Sequence, residues 1–571
     1  MAPLPWQQFT ERMVGRGHPT LADTNNRALR ALLSGSGYDP DAATFPGLMG
    51  PVFNVKAFGA KGDNGTDDTA AIQAALTMAG ILGGTVVIPV GVYLITAVLT
   101  HDTNVSIVGM GGASIIRNAV TRNKDTAWML QPIANGRTNA VFRDFVLDQR
   151  SDVLGQSPSS FCHSVHALTG CLVENVVYRN IITMAVWADT PVAQGVTKAI
   201  RIDTIRVEGS EGGGISVFGN ISQWSVANSH FENTKDDAIA FQQRNDGAQP
   251  SDCTINGNVV LNADRRNVAL STPRGILLQG CTRFAVGDNV VNKTVSDAYC
   301  LIPNVDPCSK IALSNNVAYQ AGVTVDSIAG VPGNGFRVQD GIDITIDAGC
   351  AAYGSRENGM RVHGSPDRIK VNDNTCVGNG YSGIELQNVR DFTLNGNTLC
   401  DNGAVASPQP FGIFLSSTTR DLKTGTISNN RIGQSALGVA GFTQTEGIRI
   451  GTAAGFVATD VTIGHNNVIG NTVAAFGGVA GVNIVKSRNR YTTGAQQGRT
   501  ALVNGTVTVN TVEVLAADSI SLTRVVVAGT TRGILTVGTI VAGTSFVIRA
   551  EDLAGALSAD DDSTVFWEIV H

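Results

Sequence analysis

The chain has 571 residues, a net charge of −6, a charged fraction of only 15% and aromatic residues at 6%. That balance leaves no basic footprint for nucleic acid, and no apolar run approaches the length of a bilayer span. Sixty-five glycines among 43% apolar residues fit tight turns and small stacked aliphatic side chains, which excludes helical bundles and disordered chain.

Residues 1–53 read as an N-terminal head or connector with one predicted helix, Thr24–Leu33. The opening MAPLPWQQFTERMVGRG has no apolar h-region, so a Sec export signal is not expected. From Phe53 the text changes to short segments, FNVKAFGAKGDNGTDDTAAIQAAL, GGTVVIPVGVYLI and VSIVGMGGASII. Thr66 or Asp67 can cap a short helix whose Ile72, Ala75 and Leu76 would close the open end of a strand stack. GAKGDNG is not a phosphate loop, because no Gly-Lys-Ser/Thr follows it.

A repeat dominates 54–497. It appears as GGISVF, DAIAFQ, RGILLQ, NGFRVQ, NGMRVH, SGIELQ, FGIFLS and EGIRIG. Ile215 and Ile239 are 24 residues apart, as are Phe336, Met360 and Ile384, and longer intervals elsewhere mark inserted loops. Between these segments recur elements with Asn near the end, INGNVV, VGDNVV, LSNNVA, VNDNTC, LNGNTL, ISNNRI and IGHNNV. Asn tolerates the left-handed bend, and its amide can bond to the Asn of the next coil. A coil this short cannot bury its own apolar face, so coils must stack. The expectation is an all-β, right-handed parallel β-helix with Ile215, Val217, Ile239, Phe241, Ile276 and Leu278 inward and their neighbours in solvent.

Cys171, Cys253, Cys281 and Cys308 each open a coil, and Cys350, Cys376 and Cys400 recur at spacings of 26 and 24. With no CxxC pair, a column of small buried side chains is expected, zinc or disulfide being the other readings. Residues 498–571 read as short alternating strands of a small β-sandwich with Phe546, Phe566 and Trp567, and Asp560–Asp562 as a solvated loop.

Chemistry calls for carboxylates that adjacent coils bring together. Glu211 lies four residues before Ile215, and Asp236 and Asp237 lie just before Ile239, so all three should fall within about 5–10 Å. Packed carboxylates raise at least one pKa and set a proton donor beside an ionised base; the other reading is an Asx-rich corner turn. Lys235, Gln242, Arg244, Arg274 and Gln279 are candidates to hold sugar, with Arg274 one coil after Asp237 in the same column. A second group has Arg337, Arg361 and Glu385 in one outward column and Gln339, His363 and Gln387 in the next, flanked by Glu357 and Tyr381. Cations beside a base suit proton abstraction next to a carboxylate, and an inter-coil salt-bridge ladder is the plainer reading. His163, His166 and His230 read as structural, and no metal or cofactor is called for.

The string from Asn54 to Gly91 resembles the start of the pectate-lyase-like β-helix superfamily, in the form of bacteriophage tailspikes and some polysaccharide lyases and epimerases. NGTVTVNT…SISLTR…GTSFVI…STVFWEIV resembles a small β-domain that ends many phage tail and virion proteins. DDAIAF resembles the paired-Asp motif of polygalacturonase-type glycosidases, although their Gly-His-Gly and Arg-Ile-Lys motifs are not in the expected place. The resemblance implies a homotrimeric tailspike depolymerase in the phage tail. It would be joined to other tail proteins through its N-terminus and would cut a bacterial surface polysaccharide by hydrolysis. A lyase or epimerase acting on a uronate-containing glycan, and a non-enzymatic receptor-binding fibre, are the alternatives.

Overall fold

The computed structural model describes residues 51–570 apart from 121–127, 155–160, 264–272, 324–330, 404–406, 434–443, 472–473, 479–481, 492–496, 512–513 and 515–517. The expected helix Thr24–Leu33 and all but the end of the 1–53 head lie outside the described residues.

Three parallel sheets of 17, 16 and 14 strands form the walls of a β-helix. One coil gives Thr282–Gly287 to the first sheet, Val290–Thr294 to the second and Tyr299–Ile302 to the third. The repeat segments pair in the third sheet, Ile215 on Ile239, Ile239 on Ile276, then Phe336 on Met360 and Met360 on Ile384. All six residues expected inward are at most 1% exposed. Their neighbours are not uniformly solvated, however: Ala240, Leu277 and Cys300 face outward yet form a small buried cluster of their own.

One coil escaped the sequence pattern. Tyr299 stands between Ile276 and Phe336, where the other segments have Ile, Phe or Met. Its ring stacks on Phe336 at 4.6 Å and its hydroxyl donates to the Asn289 carbonyl at 2.8 Å, so a phenol fills the place of an aliphatic.

The corner between the first and second sheets holds the asparagine ladder. The Nδ2 of Asn258 donates to Asn289 Oδ1, Asn289 to Asn316, Asn397 to Asn430, Asn430 to Asn466 and Asn466 to Asn489, each at 2.9 Å. The left-handed bend belongs to the residue before each of these, for example Gly257, Asp288, Asn315, Gly396 and Asn429. The ladder Asn turns its amide into the corner while its predecessor makes the bend.

All nine cysteines are buried and none is in a disulfide. They do not form one column. Cys281 and Cys308 adjoin, with Cys281 N–H 3.5 Å from Cys308 Sγ, but Cys253 stacks on Phe284, Cys376 on Ala352 and Cys400 on Val377. Inserted loops change where each coil begins, so equal spacing in sequence does not give equal position in the pleat.

The end of the stack is closed by the helix Thr69–Leu82, with Ile72, Ala75 and Leu76 buried. Asp68, not Thr66 or Asp67, is the N-cap residue; its carboxylate turns back to accept from Lys61 and Gly62, and Asp67 accepts the Thr69 N–H. At the other end two three-stranded antiparallel sheets pack over Leu502, Val509, Phe546, Ile548, Val565, Trp567 and Ile569. Asp561 is not in a solvated loop: it is fully buried, pairs with Arg524 and accepts the Gly533 N–H at 3.1 Å.

Candidate functional site

Inward Ile239 and Phe241 force Ala240 and Gln242 outward. The same alternation gives one outward column of Ala240, Leu277, Cys300, Arg337, Arg361 and Glu385 on the 14-stranded sheet. Gln242 stacks on Gln279, and Gln339 on His363, in the neighbouring column.

At the corner leading into this sheet runs a second ladder in which side-chain oxygens accept the backbone N–H of the next coil. Asp237 accepts from Arg274 at 2.9 Å, Asp297 from Asn334 at 2.9 Å and Asn334 from Asn358 at 3.2 Å. Asp236 precedes this ladder, accepts the Asp237 N–H at 2.9 Å and is the less buried of the two carboxylates. The Asx-type corner turn is therefore present, and it leaves a carboxylate pair at the corner.

Burial is the main reason the Asp237 carboxyl is pushed up to about 7; the Arg274 charge pulls it back and Asp236 adds a smaller push. Asp236 is raised as well, again chiefly by burial. Burial thus outweighs the repulsion between neighbouring carboxylates. Glu211 makes an ion pair with Lys235, its neighbour one coil on.

The two groups expected from sequence are one continuous array. Arg274 lies 3.4 Å from Asp237, and Asp297 is fully buried beneath Arg337 at 3.4 Å. Arg337 donates to His363 Nε2 at 3.0 Å and to Gln339 at 2.9 Å, and Arg361 pairs with Glu385 at 3.1 Å. The salt-bridge ladder is therefore real, and it continues the carboxylate corner. Burial, with Arg361 and Arg337 adding to it, pushes the His363 imidazole down to about 3. Gln279 reaches the Pro303 carbonyl at 3.4 Å, and Arg244 pairs with Asp189 and, at 3.3 Å, with Asp246.

Asp297 was missed because it belongs to the unrecognised coil. Ser296-Asp297-Ala298-Tyr299 repeats Asp236-Asp237-Ala238-Ile239 with an aromatic in the Ile position, and that Asp-Ala step was the available signal.

A raised carboxyl pKa fixes a sign for stability. Asp237 keeps its proton in the fold above its ordinary value of 3.8, so its contribution is present below that value and is lost as pH rises to about 7. The thermal midpoint of Asp237→Asn minus that of wild type should therefore grow between those limits; a pH-independent difference would show that Asp237 is ionised throughout.

Family models match three parts of the chain. Rhamnogalacturonase A/epimerase, pectate lyase-like, matches 52–286, the right-handed beta helix region matches 309–495, and the C-terminal domain of K1 capsule-specific polysaccharide lyase matches 494–570. The chain is a right-handed parallel β-helix whose first half is similar to the pectate-lyase-like family. Two solved structures share the fold. The tailspike protein gp49 of Pseudomonas phage LKA1 has a TM-score of 0.56 at 11% identity, over 91% of this chain and 100% of that one. A tailspike of E. coli bacteriophage HK620, solved with a pentasaccharide, has a TM-score of 0.54 at 12% identity, over 91% and 93%. Among curated proteins of Azotobacter vinelandii, mannuronan C5-epimerase AlgE3 is 39% identical over 112 residues, and alginate lyase 7 is 47% identical over 74. Those matches span 18% and 11% of this chain and only 6% and 9% of the relatives.

Proposed function

We propose that the chain is a phage tailspike that binds a bacterial surface polysaccharide, capsule, exopolysaccharide or O-antigen, and cuts it by endo-glycosidic hydrolysis. The observation that carries this is the Asp236/Asp237 pair beside Arg274, with one carboxyl able to hold a proton near neutral pH. One acid gives its proton to the glycosidic oxygen as the C–O bond breaks, and the other takes a proton from the water that adds to the sugar carbon. Arg274, Arg337, Arg361, Gln242 and Gln279 supply donors for hydroxyls and carboxylates along the same face. The tailspike neighbours and the capsule-lyase C-terminal match support an external, glycan-directed role.

β-Elimination is the second reading, because Arg337 and Arg361 stand beside His363. It needs a base there, and an imidazole that accepts from Arg337 and has its pKa pushed down to about 3 is a poor one. Incubation with purified capsule and O-antigen separates the readings. Hydrolysis raises reducing ends alone, elimination also gives an ultraviolet-absorbing unsaturated sugar, and a receptor-binding fibre binds without either. The last two results would each overturn the proposal.

The assembly proposed is a homotrimer in the phage tail, held to other tail proteins through residues 1–53 and clamped by 498–571. Val526, Ile534 and Val541 of the C-terminal sheets are about half exposed, an aliphatic surface suited to identical neighbours. Deleting 498–571 should lower the melting temperature and yield monomers or aggregates by light scattering. A truncated trimer of unchanged stability that no longer binds glycan would make the domain a carbohydrate-binding module instead.

A further inference from the structure

On the outer face of the 14-stranded sheet, two coils before Asp236 and Asp237, lies an aromatic cluster that the chemistry above does not use. Trp187 belongs to Met184–Thr190, where Val186 and Ala188 face inward and are buried, so its indole projects outward. Trp128 stacks on Phe161 with centroids 4.7 Å apart, Phe161 lies 5.0 Å from Trp187, and Trp128 lies 5.1 Å from Trp187. The His166 ring adds a fourth plane, 6.3 Å from Trp187. These four rings are only part-buried, unlike Trp224 inside the helix.

The cluster continues the acid-bearing face. Trp187 pairs with Ser216 and Ser216 with Ala240, which places the indole about 10 Å along the axis from the coil of the carboxylate pair. Polar groups rim it: Asp189 projects from the same strand two residues on and is held by Arg244, and Phe218 stacks in register between Asp189 and Gln242. Flat apolar planes bordered by hydrogen-bonding groups match a pyranose, which has an apolar C–H face and a rim of hydroxyls. A protein partner would require a wider continuous apolar patch, and the ion pair beside the rings interrupts one.

We propose that Trp128, Phe161 and Trp187 form a stacking subsite for a pyranose ring of the glycan chain, remote from the cleaved bond and in line with it. This rests on the reading that the 14-stranded face handles polysaccharide. The subsite would let the enzyme hold a chain on one side of the cleavage point, so long fragments would bind better than short ones.

The test uses the full chain, an array of purified bacterial capsular and O-antigen polysaccharides, and separate readings of binding by intrinsic fluorescence and cutting by reducing ends. For the glycan that wild type binds, Trp187→Ala should weaken affinity about tenfold, equivalent to about 1.4 kcal/mol, while Trp187→Phe should retain most of it. Equal melting temperatures of the two variants exclude misfolding as the cause. If the glycan is bound and cut but Trp187→Ala binds it as wild type does, the subsite is wrong and the depolymerase reading stands. If a glycan is bound but never cut, the depolymerase reading fails and the Trp187 comparison still decides the subsite. A chain that binds no glycan of the array overturns both.

Discussion

Asp236→Asn or Asp237→Asn is expected to lower glycan cleavage by about 10²–10⁴-fold, the usual worth of a positioned acid or base. Asn is the informative replacement because it keeps the local hydrogen bonds. The Oδ1 of Asn at 236 would still accept the residue 237 N–H, and that of Asn at 237 would still accept the Arg274 N–H. What each change removes is the proton. In Asp237→Asn the loss should be accompanied by disappearance of the wild-type decline in activity above about pH 7, where Asp237 gives up its proton. Asp236→Asn should keep that decline, because burial rather than Asp236 is the main reason the Asp237 carboxyl is raised. Reducing-end formation across pH, with affinity measured in parallel, is the experiment. Wild-type turnover in both variants would move the chemistry to Arg337, Arg361 and His363 or leave a fibre that only binds.

The largest expected effect on stability lies in the asparagine ladder. Asn430 Oδ1 accepts from both the N–H and the Nδ2 of Asn397 at 2.9 Å, and its own Nδ2 donates to the Leu394 carbonyl at 3.0 Å and to Asn466 at 2.9 Å. Asn430→Ala removes all four bonds at a corner closed to water and leaves the Asn397 N–H without its acceptor, although Asn397 Nδ2 keeps its bond to the Val371 carbonyl at 2.8 Å. At about 1–3 kcal/mol for each buried group left unsatisfied, the variant should lose about 3–5 kcal/mol. The ladder contains its own control. Cys350 stands where an Asn would be, between Asn316 and Asn374, and Asn316 Nδ2 reaches its sulfur at a long 3.8 Å. Cys350→Ala should therefore cost much less than Asn430→Ala in chemical unfolding. Equal losses would mean that the corner amides pack rather than bond.

The coil was legible in the chain before any contact was known. A period of two makes Ile215, Ile239, Ile276 and Met360 inward wherever they occur, and a recurring Asn reports a corner amide ladder, because both depend on residues within a few positions of each other. The C-terminal strands were legible for the same reason, with Val565, Trp567 and Ile569 buried and Phe566 turned away. Even so, a coil in which Tyr299 replaces Ile was lost, and with it Asp297.

The partners on the outer face follow from how the folded coils stack. Arg274 meets Asp237 across 37 residues, Arg337 meets Asp297 across 40, and Trp128, Phe161 and Trp187 come together from three successive coils. Such contacts depend on the lengths and paths of the inserted loops, which set how far each coil advances before its next strand begins. The inward face is specified by a local rule repeated many times, whereas the outward face is specified by loop geometry that differs in every coil. That is why the core was readable from the chain and the joining of the carboxylate corner to the arginine array was not.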